Sequence, residues 1–225
     1  TILRSLDESL ERLKLSRIDL VYVHDPDRCI SIDLNFDPNQ ETDYKQVLDE
    51  TFPALAELRS QGVIGAIGVG MNQWQMLCDF ARAADFDCFL LAGRYTLLEQ
   101  NSAAELLPLC QERNIRIVIG GPYNSGILAS GAVDGAYYNY AAAPDEILEK
   151  TRQIEAVCRR HGVALAAAAL QFPFGHPAVA AVIPGARSVS ELEANVLHFA
   201  TEIPSQMWQE LRELGLLHPE APLPA

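Results

Sequence analysis

The 225 residues suffice for one sizeable buried core, and the 49% hydrophobic and 21% charged composition is that of a globular domain. A formal net charge of −13 argues against nucleic acid or an anionic membrane as partner, because like charges repel, but it leaves open a small anionic cofactor held by backbone donors. No run approaches the roughly 18 to 20 apolar residues of a membrane span, and no signal peptide opens the chain. Five widely spaced cysteines (Cys29, Cys78, Cys88, Cys110, Cys158) form no C-x-x-C pair, which predicts free thiols in a reducing cytoplasm.

In chain order, Leu3, Leu6, Leu10 and Leu13 recur at helical spacing and predict a helix over the opening TILRSLDESLERLKL. Ile18 to Val23 is a short β-rich run that stops abruptly at His24-Asp25-Pro26. Residues 45–61 place Leu48, Phe52, Leu55 and Leu58 on a helical stripe ended by Gly62, and VIGAIGVG follows as a strand. A helix over 73–84 precedes the strand CFLL. Another over 102–113, stopped by Asn114, precedes IRIVIG. Helices near 145–161 and 164–172 lead to a last strand, AAVI, and helices over 188–200 and 205–214 complete the pattern.

Nearly continuous apolar strands alternating with helices indicate a parallel sheet covered by helices. No linker divides residues 1–225, so one domain is expected. A doubly wound sheet that binds a dinucleotide usually carries G-x-G-x-x-G after its first strand, and GVGMNQW lacks the third glycine. Here polar residues sit at every strand end instead, which points to a (β/α)8 TIM barrel. Five strands leave such a barrel open at two edges. The expectation is therefore an N-terminally incomplete barrel containing only the last five βα units.

Three motifs resemble the aldo-keto reductase superfamily in order and spacing: SLDESLERLKLSRIDLVYVHDPD, GVIGAIGVGMNQW and VIPGARSVSELEANV. LAGRYTLLEQ and IGGPYNSGIL are similar to the branch that oxidises aldoses such as L-fucose or D-arabinose at C1, with pyridoxal-oxidising relatives close by. The resemblance implies hydride transfer between a nicotinamide cofactor and a small sugar or carbonyl substrate. It also implies an Asp, Tyr and Lys set for proton transfer upstream of Thr1, so that the 225 residues alone are expected to be inactive. Asp43-Tyr44-Lys45 is a decoy, since adjacent residues at a helix start cannot converge on one oxygen.

Residue by residue, the resemblance makes His24 the catalytic histidine that orients the substrate oxygen. Asp25 either faces substrate hydroxyls or caps the following turn, and Trp74 either packs or overhangs the substrate mouth. Asn72 is matched to the nicotinamide carboxamide. A second carboxamide ligand of the family aligns with Ala92 and is lost, and its stacking tyrosine aligns with Gly120. Arg94 and Tyr95 either support the fold or line the sugar site. Pro122, Tyr123, Asn124, Ser125 and Gly126 resemble the loop over the cofactor pyrophosphate. Pro184, Gly185, Ala186 and Arg187 lead into the helix whose Asn195 would face adenine.

Gly185 and Glu191 stand where NADP-preferring relatives carry cations, which favours NAD, while Arg187 keeps NADP in play. His161, His176, His198 and His218, with Asp79, Asp85 and Asp87, read as structural or solvated. Two rival readings remain. One is an inactive nucleotide-binding remnant, or a half barrel completed by a partner. The other is a metal-dependent hydrolase, for which only His24 and Asp25 offer ligands; no metal is expected. The oligomeric state is open.

Overall fold

The computed structural model describes residues 2–28 and 42–224. Cys29 lies outside them. The first helix, α1 (Ile2–Leu13), leads into strand β1 (Ile18–His24), as the leucine spacing and the β-rich run predict. Next comes α2 (Tyr44–Gln46), which passes through a widened π turn, Val47–Thr51, into α3 (Phe52–Ser60). Pro53 lies within this continuous helical run and has no N–H to donate, just where the turn widens.

Then follow β2 (Ile64–Met71), α4 (Trp74–Ala83), β3 (Cys88–Ala92), α5 (Leu106–Glu112) and β4 (Arg116–Gly120). Asn114 stops α5 with a φ of 57°, the left-handed conformation expected of it. The helix expected over 102–113 is in fact a 3-10 turn, Asn101–Ala104, and α5, separated at Glu105 (φ −133°). After β4 the chain forms the short α6 (Ile127–Ser130) and a small antiparallel hairpin, β5 (Tyr137–Tyr138) with β6 (Ala141–Ala142). The rest is α7 (Asp145–Arg160), α8 (Leu165–Gln171), β7 (Val179–Ile183), α9 (Val189–Phe199) and α10 (Ser205–Glu213).

The main sheet has the order β1-β2-β3-β4-β7, and every pairing is parallel. Alternation along each strand gives the sheet two unlike faces. Ile67, Val69, Phe89, Leu91, Ile117 and Ile119 point to the helix layer and are fully buried. The other face carries Tyr22, Gly68, Gly70, Cys88, Leu90, Val118 and Gly120. Its strands approach closely at Gly68, where a Cβ would lie 2.6 Å from the Tyr22 ring and 2.5 Å from the Cys88 carbonyl oxygen. The three glycines on that face suit a sheet that curls inward.

Among the described residues, β1 pairs only with β2, and β7 only with β4. Exposure follows from this. Every residue of β1 is at least partly accessible, whereas six of the eight in β2 are buried. The α1 stripe is likewise divided. Leu6 is buried and Leu10 packs on the core, but Leu3 and Leu13 are exposed, and a groove of about 480 Å³ runs between α1 and β1.

Four cysteines are free and buried. Burial pushes the thiols of Cys78 and Cys110 up to about 12 and that of Cys158 to about 11, so these stay protonated and unreactive. No helix of the described residues is long and apolar enough to cross a membrane.

Candidate active site

Parallel strands bring their carboxyl ends to one edge of the sheet. Register places them side by side: His24 opposite Gly70, Met71 opposite Leu91, Ala92 opposite Gly120, and Gly120 opposite Ile183. His24, Tyr22 and Leu20 share one face of β1 by alternation, the face that Gly68 and Gly70 border. The His24 ring is 84% exposed, and its Nε2 lies 3.4 Å from Oδ2 of Asp25.

Asp25 is held in a conformation that non-glycine residues rarely adopt, with φ at 44°. Its N–H donates to the Gly70 carbonyl (2.9 Å), and its own carbonyl accepts from the Arg28 N–H (3.0 Å). Two backbone bonds thus aim the carboxylate at His24.

From β2 to α9 the rim is stitched sideways. Asn72 donates from Nδ2 to the Ala92 carbonyl (2.8 Å), which ties the end of β2 to that of β3 and leaves Oδ1 and a second proton. The Gly93 N–H donates to Gly120 (2.8 Å), and Asn124 Nδ2 returns a bond to the Gly93 carbonyl (3.2 Å). The Thr96 hydroxyl donates to Asn124 Oδ1 at 2.5 Å and accepts from the N–H groups of Leu98 and Glu99. The Tyr123 hydroxyl donates to Asn195 Oδ1 at 2.7 Å, which ties the turn after β4 to α9.

The turn is tight. Asn124, Ser125 and Gly126 all have positive φ (45°, 61° and 104°), and the N–H groups of Asn124 and Gly126 bond internally to Gly121 and Tyr123. Pro122, Tyr123 and Asn124 are buried; Ser125 is exposed and accepts the Tyr140 N–H through its hydroxyl, whose proton can still be donated. Pro184 is half-buried, and Gly185, Ala186 and Arg187 are exposed. Ser188 caps α9 by accepting the Glu191 N–H. Glu191 turns back onto Arg187, accepting its backbone N–H at 2.7 Å and its guanidinium at 3.2 Å. These bonds, the backbone one foremost, hold the Glu191 carboxyl below the usual range.

Asn195 is 8% exposed, and its Nδ2 has no hydrogen-bond partner among the described residues. An unmade bond on a buried donor costs about 1–3 kcal/mol. Gly185 is exposed, and a Cβ there would meet nothing within 4 Å.

Other residues have packing or pairing partners. Trp74 is half-buried at the start of α4 and packs on the core, and Trp208 is fully buried. In the Asp43-Tyr44-Lys45 triplet, Asp43 pairs with Arg28 and lines a cavity of about 460 Å³ with His24, whereas the Tyr44 ring packs on Phe80 at 4.7 Å in the helix layer. Arg94 is buried and donates to the Gly93 carbonyl and to Asn139. Tyr95 is enclosed against Phe172. Asp87, expected as a solvated rim residue, instead accepts the Ile67 N–H and pairs with Arg59. His176 is buried, which lowers its pKa, and its Nδ1 accepts the Ala178 N–H.

Sequence reasoning missed Thr96, and it missed the Glu99 carboxylate that accepts the Tyr138 hydroxyl and steadies the hairpin. The sequence signal was a threonine in the turn-like stretch 93–101. Among the described residues, no cluster of three His, Cys, Asp or Glu side chains could hold a metal ion.

The chain matches the aldo/keto reductase family over residues 1–215 and belongs to it. It is 43% identical over 217 residues to pyridoxal 4-dehydrogenase of Microbacterium luteolum, covering 96% of this chain and 62% of that protein. It is 42% identical over 215 residues to D-threo-aldose 1-dehydrogenase of a Pseudomonas species, covering 95% and 61% respectively. The chain thus spans about three fifths of these relatives. The holo form of aldo-keto reductase AKR11C1 from Bacillus halodurans superposes with a TM-score of 0.70 at 25% identity, over 95% of this chain and 66% of that one.

Proposed function

We propose that the chain is the nucleotide- and substrate-holding part of an NAD(P)-dependent oxidoreductase that acts at C1 of an aldose or on a related small carbonyl. Five parallel strands, opening together on one rim with His24 at the end of β1, are the observation that carries this reading. On it, residues 1–225 form one domain and contribute the last five units of an eight-stranded barrel. That arrangement accounts for the open flanks of β1 and β7. The similarity to two dehydrogenases of small carbonyl compounds supports the chemistry.

When bound, the cofactor supplies the hydride-carrying nicotinamide. His24, exposed and able to rotate, holds the substrate oxygen, and Asp25 takes an adjoining hydroxyl. Asn72 offers its remaining amide groups to a carboxamide while Ala92 steadies it. Ser125 donates its hydroxyl proton toward phosphate from the turn, and Pro184 to Arg187 with Asn195 receive the adenosine end. Trp74 stands beside the mouth. Glu191, anionic at neutral pH and already holding Arg187, disfavours a 2′-phosphate and makes NAD the preferred cofactor. Four buried free thiols suit a reducing cytoplasm.

In the full-length enzyme His24→Ala should lower kcat for an aldose at least about 100-fold while the Kd for NAD stays within about twofold. Unchanged turnover removes His24 from the site.

A further inference from the structure

We infer that Tyr123 is a positioning residue for Asn195. Its hydroxyl fixes the amide so that Nδ2, and not Oδ1, is presented to the base of a bound nucleotide. This rests on the proposal that α9 holds the adenosine end.

Three observations converge. The two residues lie 72 positions apart, yet the Tyr123 hydroxyl donates to Asn195 Oδ1 at 2.7 Å in a buried setting, 9% and 8% exposed. An O–H donor there selects the carbonyl end of the amide. Burial raises the Tyr123 pKa, which keeps the hydroxyl protonated and donating throughout the neutral range. Next, Nδ2 is left buried without a partner among the described residues. A buried donor left unpaired calls for an acceptor, and a bound base would supply one.

Finally, the other end of Tyr123 shapes the turn. Its carbonyl accepts the N–H groups of Gly126 and Leu128, so the strained segment Asn124 to Gly126 hangs from it. One residue therefore links the turn after β4 to the amide on α9.

The consequence is a stated preference. On the edge formed by N7 and the group at position 6, adenine offers one acceptor and one donor, whereas hypoxanthine offers two acceptors. An amide locked as a donor reads both. An amide free to rotate can still satisfy adenine through either end, but it satisfies hypoxanthine through one only.

The test is calorimetric titration of the full chain with AMP and with IMP. The unmodified chain should bind the two within about threefold of each other. Tyr123→Phe keeps the ring and the backbone turn and removes only the oxygen. It should weaken IMP about twofold, the cost of selecting one of two amide orientations, and leave AMP unchanged. Equal losses for both ligands would mean that the hydroxyl merely props the fold, and no loss for either would mean that it does nothing for the site; both overturn the inference. Asn195→Ala serves as the control and should weaken both ligands. If it weakens neither, or if the unmodified chain binds neither, the adenosine assignment itself falls, and the inference with it.

Discussion

Strands β1 and β2 are both rich in Ile and Val, IDLVYVH against IGAIGVGM, yet one is accessible along its length and the other is largely buried. The difference lies in their neighbours. Strand β2 has a hydrogen-bonded strand on each side and helix α3 on its outer face, whereas β1 is paired on one side only. An apolar run does not bury itself; burial is conferred by what flanks it. The same contrast holds at the rim. From Asn72 to Asn195 the strand ends are cross-tied by side-chain hydrogen bonds, while His24 is exposed and has the Asp25 carboxylate beside it.

Substitutions that separate the two regions should rank accordingly. Phe89→Ala, in the fully buried centre of the sheet against Phe86, should cost about 3–5 kcal/mol in denaturant unfolding, and a loss below 1 kcal/mol would show that the centre is no better packed than the edge. Thr96→Val removes the hydroxyl that holds Asn124 and caps Leu98 and Glu99. It should cost about 1–3 kcal/mol, because buried partners are left unsatisfied.

A pH dependence comes next. Burial raises the Glu99 pKa, so the folded state holds this proton more tightly than the unfolded one. Its contribution to stability is present below the unfolded carboxyl value and is lost as pH rises through the folded one. Glu99→Gln should flatten that fall, and an unchanged profile of thermal midpoint against pH would exclude Glu99 as its source. Smallest of all, Leu13→Gln on the exposed end of the α1 stripe should change stability by less than about 0.5 kcal/mol; a larger loss would mean that the groove beside β1 is covered in solution.

Much of the fold was legible because it is locally encoded. Leucine spacing marked α1, β-rich runs marked the five parallel strands, and Gly62 and Asn114 ended helices through left-handed backbone (φ 74° and 57°). The hairpin Tyr137–Ala142 was not legible. Its strands are two residues each, too short for alternation to register, and it is held by Tyr140 to Ser125 and Tyr138 to Glu99, contacts that no local pattern announces. The four leucines of α1 share one helical face, and of them Leu6 and Leu10 found a core to pack on.

What the amino-acid order determined by itself is the succession of helices and strands and the residue at each strand end, since periodicity and turn chemistry act over a few positions. What only the tertiary structure decided is the partner of each of those residues. Asn124 meets Thr96 across 28 positions and Tyr123 meets Asn195 across 72. Such pairs exist because parallel pairing sets distant strand ends side by side, and the register that does so is a property of the assembled sheet.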